Sequence, residues 1–412
     1  MPNDFRHNHY VPEWYQRRFL PPSQADQELH YLDLSPGFFV DPRGISHARP
    51  AVRRQGFKHC FAQDDLYIAT FGSGESTRIE REFFGTIDRE GAQAAEYFAK
   101  FNHTAIDRSA FQRMLLYMST QKLRTPKGLG WLATRAGTSE KQQLLQLMLK
   151  YRQLHCAIWT ECVWQIADAS NSDTKFLISD HPVTVYNRGC APTSKRCQGD
   201  NDPDIWLHGT HTIFPLCLDK VLILTNLSWV RNPYQSAVEP RPNPVPFRET
   251  MFKFMDIQIL RHLTENEVRE INLITKTRAR RFVGAAREEW LYPEMPLPVE
   301  QWSTYGQKFL LMPDPRSINL GGEMFWRNAD GTGGAMDEYG RRPEHPDCGK
   351  ESRTQEEGET LLRFQGEFAR LCGPYRRGRS FELGRLEEEM MSDSLHQYYL
   401  SLDNPSGRGK VR

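Results

Sequence analysis

The stretch TIFPLCLDKVLILT at residues 212–225 contains two runs of apolar and β-branched residues, separated by Leu218, Asp219 and Lys220. Short runs of this kind, bounded by turn residues, are typical of buried strands. The stretch therefore predicts a pair of neighbouring strands. Similar runs at 175–178, 183–186 and 252–259 predict further strands, and together they indicate one antiparallel sheet.

Helical periodicity appears on both sides of the predicted sheet. Apolar residues recur at helical spacing between about 77 and 123 and again over 140–166. Thr264 and Glu267 have the spacing of a capping box that opens a later helix. We therefore predict an α+β fold with a loop-rich N-terminal segment, a helical middle, an antiparallel sheet and a helical C-terminal extension.

The residue composition of the chain changes after about residue 298. Residues 316–356 are rich in Gly, Pro, Asp and Arg and have few periodic apolar positions, whereas helical patterns return beyond them. We predict a core domain over 1–298, a linker or irregular excursion over 299–353, and a helical extension over 354–412 with a disordered basic tail.

Charge and cysteine content exclude several classes of protein. The 412 residues include 53 basic and 52 acidic side chains, so any contact with nucleic acid must come from a local patch. No apolar stretch approaches the length of a membrane span, and we expect a cytoplasmic protein with no membrane partner. The eight cysteines form no C-x-x-C pair and are expected to be free thiols.

The densest group of potentially reactive residues lies near the start of the chain. The motif HYVP occupies residues 9–12 and is followed by Tyr15, Arg17 and Phe19. This pattern resembles the opening of an uncharacterised bacterial family, domain of unknown function 4238 (DUF4238), in which HYVP leads into a Tyr-Leu-Arg-x-Phe helix.

The resemblance continues downstream and covers roughly residues 7–284. The matching positions are Glu80 and Asp88, the Arg-Thr-Pro at 124–126, the sequence ISDHPV at 178–183, the Phe-Pro-Leu at 214–216, and Asn272. Gln16, Asp88 and His181 depart from the usual Leu, Glu and Asn of the family. No activity is established for the family; the resemblance implies a role as an anti-phage defence effector.

Two of these residues have both a chemical and a structural interpretation. His9 is a candidate general base because imidazole titrates near neutral pH, and alternatively it pins the N-terminal strand through hydrogen bonds. Arg17 is a candidate phosphate clamp, and alternatively it forms a buried ion pair with Glu80 or Asp180.

The acidic positions and Arg124 likewise have both a chemical and a structural interpretation. Glu80 and Asp88 lie about two helical turns apart and can share a cation, or they belong to a solvated helix face. Arg124 precedes a proline that ends a helix, where it caps the last carbonyls or meets an anion. Asp180 follows a strand, where it is a loop-borne acid of a site or makes an Asx-turn.

Two functions are compatible with this pattern. The first is a nuclease-like phosphodiester hydrolase acting on nucleic acid or nucleotides. In this hydrolase His9 is the general base, and the metal ion, Mg or Mn, is held by Glu80, Asp88 and Asp180. Arg17 and Arg124 stabilise the negative charge that develops on the phosphate. The candidate catalytic residues are therefore His9, Arg17, Arg124 and Asp180. The second is a non-catalytic sensor or binding module whose polar cluster is structural.

Overall fold

The chain has the predicted α+β architecture. The computed structural model describes residues 7–24, 26–67, 69–71, 74–76, 84–101, 107–241, 257–298, 301–306, 315, 324–337, 341–346, 348, 351–372, 394 and 396–401. Within these residues the structure contains two larger sheets, several two-stranded ribbons and a set of helices that pack against them.

Strands dominate the N-terminal part, helices the middle, and strands return after residue 160. The strands are β1 His7–His9, β2 Glu28–Asp33, β3 Phe38–Val40, β4 Ser46–Ala48, β5 Val52–Gly56, β6 Ala62–Asp64, β7 Ala69–Phe71, β8 Gly74–Ser76, β9 Cys162–Asp168, β10 Ile178–Ser179, β11 Thr184–Asn187, β12 Thr210–Pro215, β13 Lys220–Asn226, β14 Gln258–His262, β15 Phe282–Ala285, β16 Met324–Arg327 and β17 Gly333–Met336. The α-helices are α1 Glu13–Arg17, α2 Gly85–Ala99, α3 Arg108–Arg124, α4 Pro126–Ala136, α5 Lys141–Thr160, α6 Leu227–Arg231, α7 Glu265–Arg278 and α8 Glu351–Cys372.

The main sheet has the strand order β11-β12-β13-β9-β14. The predicted pair at 212–225 is confirmed as β12 and β13, which pair antiparallel. The predicted antiparallel arrangement is wrong at one edge, because β14 runs parallel to β9. Parallel neighbours need a long crossover, and here about ninety residues of chain separate the two strands.

The helix predicted over 140–166 is too long. Helix α5 ends at Thr160, and Cys162–Asp168 form β9 instead. Strand β9 is flanked on both sides, by β13 and β14, and six of its seven residues are buried. A strand buried on both faces has no alternation, so its apolar run cannot be separated from the end of a buried helix by periodicity.

The second sheet has the order β10-β15-β2-β5, while β1 pairs with β6 alongside it. The strand predicted over 175–178 is mostly absent, and β10 comprises only two residues. The Asn272 amide of α7 binds this backbone instead: its oxygen accepts from Leu177 N at 3.1 Å and its nitrogen donates to Lys175 O at 2.8 Å. The side chain thus replaces a strand neighbour, and the capping box predicted at the start of α7 is confirmed.

Helix α3 lies at the centre of the core. It contacts α2, α4 and α5, and most of its residues from Ala110 to Arg124 are buried. On one side the Phe111 ring lies 4.6 Å from the Trp164 ring of β9. Helix α1 joins the same core, because the Tyr15 ring stacks on Phe214 of β12 at 5.3 Å. The N-terminal motif is therefore packed directly against the main sheet.

The C-terminal extension begins with α8, which starts slightly before the predicted position. Leu361, Phe364 and Phe368 of this helix pack in one buried cluster with Trp229 and Val230 of α6. Further along the predicted helical extension, residues 396–401 are helical, and 373–393 lie outside the described residues. The boundaries at 298 and 353 stay predictions. Among the helices described, none is long and apolar enough to cross a membrane.

Candidate functional site

His9 lies at the end of β1 and binds backbone rather than another motif residue. Its Nε2 lies 3.2 Å from both Phe57 O and Lys58 O, and 3.7 Å from a carboxylate oxygen of Glu13. Burial lowers the pKa of His9, although the charge of Glu13 opposes that shift. These contacts hold the N-terminal strand on the Phe57–His59 turn, which matches the pinning interpretation.

Arg17 lies on the same side of the molecule as His9 but faces outward. Its guanidinium donates to Glu13 at 2.8 Å and lies 5.6 Å from the Phe57 ring centre, with about half of the side chain exposed. Of its two predicted partners, Asp180 binds backbone N–H groups elsewhere, and Glu80 lies outside the described residues. Because about half of its side chain is exposed, Arg17 does not form the predicted buried ion pair.

Arg124 and Asp88 are the two predicted site residues that the structure brings together. The guanidinium donates to the Asp88 carboxylate at 2.8 and 3.0 Å and to the Gln121 side-chain oxygen at 2.8 Å. It is 1% exposed and lies between the rings of Phe84 and Tyr117. Burial disfavours the cation, but Asp88 outweighs it and raises the pKa of Arg124.

This geometry corrects two expectations. Arg124 does not cap the last carbonyls of its helix, and Asp88 is not on a fully solvated face, because each neutralises the other. The residue that connects α3 to α4 is Thr125, whose hydroxyl accepts from Gly128 N at 3.1 Å as an N-cap.

The metal-binding prediction depends partly on a residue outside the described ranges. Glu80 is one of these, so the structure places only Asp88 and Asp180 of the proposed ligands. Among the residues described, no group of three or more His, Cys, Asp or Glu side chains is placed to hold a metal ion. A site for Mg or Mn stays a prediction.

Asp180 is buried and binds a run of backbone N–H groups just after α7. One carboxylate oxygen accepts from Arg280 N at 2.8 Å, and the other from Arg281 N at 2.7 Å and Phe282 N at 2.9 Å. Burial raises the pKa of Asp180, although these three N–H groups oppose the shift. The Asx-turn is absent here: His181 N donates to the Ser179 hydroxyl instead. Asp180 thus joins the 179–182 turn to the start of β15.

Three of the motif segments converge on one cleft of about 640 Å³. Tyr10 comes from the HYVP motif, Pro126 from the Arg-Thr-Pro motif and Asp180 from the Ser-Asp-His-Pro turn. Three cationic residues, Lys141, Arg280 and Arg281, also line it, and Asp180 is the one carboxylate among the lining residues. Sites for small ligands have this size and this mixture of apolar walls with a few polar groups.

Further hydrogen bonds join the N-terminal segment to the main sheet and to the end of α3. The Tyr15 hydroxyl donates to Pro215 O at 2.5 Å, and the Arg18 guanidinium donates to Leu216 O at 2.7 Å. Gln121 donates to Tyr10 O at 2.8 Å, and the Tyr67 hydroxyl donates to Arg124 O at 2.8 Å. The N-terminal motif, the end of α3 and the main sheet are therefore held together by hydrogen bonds to backbone carbonyls.

A second polar cluster lies around Asp202, where the sequence predicts none. Lys122 donates to Asp202 at 3.1 Å and lies 3.2 Å from His181 Nε2, while Lys127 donates to the other Asp202 oxygen at 2.5 Å. The Thr125 hydroxyl lies 2.7 Å from His181 Nδ1. Burial opposes ionisation of Asp202, but the two lysines hold its pKa well below the usual range.

The only sequence signal for this cluster was its position beside two motifs. Lys122 and Lys127 flank the Arg-Thr-Pro motif, and His181 stands in the Ser-Asp-His-Pro turn, but surface lysines are so common that their burial could not be inferred. Asp202 lies in an irregular loop about twenty residues after His181. Only folding shows that this loop returns to α3.

Comparison with protein families agrees with the resemblance that the motifs suggest. Residues 139–289 match the model of the family described as Protein of unknown function (DUF4238). The match includes Asp180 and Asn272 but begins after the HYVP and Arg-Thr-Pro motifs. No curated protein matches the chain, and no solved structure matches it.

Proposed function

We propose that the cleft binds a phosphate-bearing ligand of nucleotide size. The family that residues 139–289 match has no known function, so this proposal is made from the cleft itself. The observation that carries this proposal is the excess of cations in the cleft. Lys141, Arg280 and Arg281 line it together with a single carboxylate, that of Asp180, which is already bound by three backbone N–H groups. The lining therefore favours an anionic ligand.

Two of these cations remain accessible for a ligand. The Arg280 side chain is 46% exposed and lies 3.5 Å from Asp200, a separation at which an exposed pair is weak. Lys141 is exposed, and its ammonium donates to Asp65 O at 2.5 Å, with no carboxylate partner among the described residues. Arg281 is more committed, because Asp33 binds it at 2.8 and 2.9 Å.

Phosphodiester hydrolysis is the reaction we propose for this cleft, because Asp180 contributes a carboxylate to its cationic lining. A carboxylate offers about four acceptor positions, and the backbone uses three of them here, which leaves about one for a ligand or a cation. Asp180 together with Glu80 would then hold Mg or Mn, and a nuclease of this kind would act as a defence effector. The alternative, a non-catalytic binding module, would bind the same ligand in the cleft without hydrolysing a phosphodiester.

Binding is tested by fluorescence anisotropy with short labelled single strands of DNA and RNA and with a labelled nucleotide. Two phosphate contacts, from Lys141 and Arg280, predict a slope of about −1.4 for log affinity against log salt, so affinity falls about sevenfold between about 50 and 200 mM salt. In the double variant Lys141→Gln, Arg280→Gln neither contact remains, and the affinity should be weaker and nearly independent of salt.

The matched control is Lys150→Gln, which removes an exposed lysine of the same helix, α5, outside the cleft. It should bind like the unaltered protein. Equal affinities for the double variant and the control would refute binding in the cleft. Cleavage of labelled RNA or DNA that requires Mg or Mn and is lost in Glu80→Gln would support hydrolysis, whereas binding without cleavage would support the binding module.

A further inference from the structure

The hairpin formed by β3 and β4 is exposed in both strands. All three residues of each strand are exposed, and the two strands form a separate two-stranded sheet. Its apolar residues Phe38, Phe39, Val40 and Ile45 have exposed fractions of 71%, 44%, 66% and 53%. Proteins normally avoid exposed apolar ribbons because these aggregate, so four such side chains together mark a surface that binds something. We call residues 36–49 the aromatic hairpin.

The aromatic hairpin offers rings on both of its faces. The register pairs Phe38 with Ala48 and Phe39 with His47, and neighbouring residues of a strand point to opposite faces. On one face the Phe38 ring is largely open to solvent. On the other face the Phe39 ring stacks on His47, with 5.3 Å between the ring centres and an angle of 27° between the planes. Accessible flat rings are the surfaces on which the bases of single-stranded nucleic acids stack.

The charged groups of the aromatic hairpin favour an anionic partner. Arg43 lies in the turn and Arg49 follows β4, and both are exposed without an ion-pair partner in the described part of the chain. The single carboxylate, that of Asp41, accepts hydrogen bonds from Ile45 N at 2.8 Å and from Arg43 N at 2.9 Å, so the turn itself uses it. Two arginines against one aspartate leave a net charge of +1, which complements a phosphate backbone.

The base of the hairpin is bonded to a residue that lines the cleft. The Arg281 guanidinium donates to Asp33 at 2.8 and 2.9 Å, and the Arg281 carbonyl oxygen accepts from Leu34 N at 2.7 Å. Phe38 follows four residues after Leu34, and an extended chain spans at most about 14 Å over that length. A strand with one phosphate in the cleft therefore needs only a few more nucleotides to reach the aromatic hairpin.

We propose that the ligand of the cleft is a single-stranded nucleic acid whose bases stack on the aromatic hairpin. Phe38 and Phe39 are the stacking residues, and the two arginines of the hairpin contact phosphates. This inference rests on the proposed function, because the same strand must place a phosphate in the cleft. It also supplies the local patch that a chain with balanced charge needs for contact with nucleic acid.

Two other partners fit the hairpin less well. A lipid bilayer would receive the tip of the hairpin first, and the tip carries the charged residues Asp41 and Arg43, which are costly to place in hydrocarbon. A protein partner would need a larger surface. The two Phe rings together offer about 200 Å², whereas each side of a stable protein interface buries about 800 Å².

Fluorescence anisotropy with two labelled probes separates the hairpin from the cleft. Thymidine monophosphate reaches the cleft alone, whereas a strand of ten thymidylates reaches both. Phe38→Ala should weaken binding of the ten-nucleotide strand about tenfold, since one base loses its stacking partner, and should leave the affinity for the mononucleotide unchanged. The matched control is Phe325→Ala, which removes a Phe of the same 71% exposure from the ribbon of β16 and β17, outside the cleft. It should bind both probes like the unaltered protein.

The arginines of the hairpin are tested by the salt dependence of the same strand. Two contacts in the cleft and two on the hairpin predict a slope of about −2.8 for log affinity against log salt, twice that of the cleft alone. In the double variant Arg43→Gln, Arg49→Gln the slope should return to about −1.4. An unchanged slope in this variant would show that the hairpin makes no phosphate contact.

Failure of this inference and failure of the proposed function give different results. No binding of either probe would overturn both. Strand binding that is unchanged in Lys141→Gln, Arg280→Gln would refute the cleft. Equal strand binding by Phe38→Ala and Phe325→Ala, with mononucleotide binding retained, would refute only the hairpin. Sedimentation with phosphatidylserine vesicles tests the lipid surface: vesicle binding that is lost in Phe38→Ala, with unchanged strand affinity, would assign the hairpin to a membrane and overturn the inference.

Discussion

Replacing Asp180 by asparagine tests whether this carboxylate holds the cleft together. In the protein its two oxygens accept three N–H groups, from Arg280, Arg281 and Phe282, and the residue is 4% exposed. Asparagine keeps one oxygen and turns the other into an NH₂ group, which cannot accept. The best placement keeps the two bonds to Arg281 and Phe282 and sets the NH₂ against the Arg280 N–H.

The expected cost follows from those bonds. Losing one hydrogen bond to a charged group and leaving a partly buried N–H without that partner costs about 2–3 kcal/mol. The two bonds that remain go to a neutral oxygen and are weaker, but asparagine also removes the cost of burying a charge, which is the effect that raises the pKa of Asp180, so these two changes roughly offset each other. We therefore expect Asp180→Asn to lower the free energy of unfolding by about 2–3 kcal/mol, a large share of the roughly 5–15 kcal/mol of a typical domain.

Urea denaturation measures the change, and hydrogen exchange of the amides of residues 280–282 locates it. The control is Asp173→Asn, an exposed aspartate shortly before the same turn, which should change stability by less than about 0.5 kcal/mol. A loss below about 1 kcal/mol for Asp180→Asn, with unchanged exchange at residues 280–282, would refute this account. It would show that these three hydrogen bonds contribute little to the stability of the fold.

The remaining predictions concern pH. His181 has a pKa of about 3 in the folded protein, below its unfolded value of about 6.5, so the unfolded chain takes up a proton first and stability falls as pH drops from 6.5 towards 3. His181→Asn should therefore flatten the dependence of melting temperature on pH in that window, and an unchanged profile would contradict the buried neutral imidazole. At Glu265, burial alone would raise the pKa, but hydrogen bonds from Ser172 and Thr174 outweigh it and lower the pKa to about 2. The carboxylate thus stabilises the fold above about pH 4.5 and loses that effect as the pH falls towards 2. Glu265→Gln should therefore lower the melting temperature at pH 7, and by less at pH 3. Equal decreases in melting temperature at the two pH values would refute this role of Glu265.

Much of the fold was readable from local pattern. The pair of strands at 212–225 and the capping box at Thr264 followed from residue type and spacing, which act over a few residues. The errors arose where a segment is buried on every side. The pattern of β9 predicts the end of a helix because neither of its faces meets solvent, and the strand at 175–178 is shorter than predicted because Asn272 takes its backbone hydrogen bonds.

The candidate site was also predictable only in part from the sequence. The motifs identified segments that meet in space, since Tyr10, Pro126 and Asp180 line one cleft. They did not reveal what each polar side chain does there: Arg124 binds Asp88, and Asp180 binds backbone N–H groups. A motif records that a residue type matters, but its partner is chosen by chain segments that lie far away in sequence.

The sequence by itself determined the α+β class, the caps and the segments that carry the motifs, because those depend on interactions between near neighbours. The tertiary structure alone decided which charges are buried and what neutralises them. Lys122 and Lys127 look like ordinary surface lysines in the sequence, and only the return of the loop that carries Asp202 places them in the interior. Burial and charge pairing are properties of the folded chain, since they depend on the distances between segments that the sequence leaves far apart.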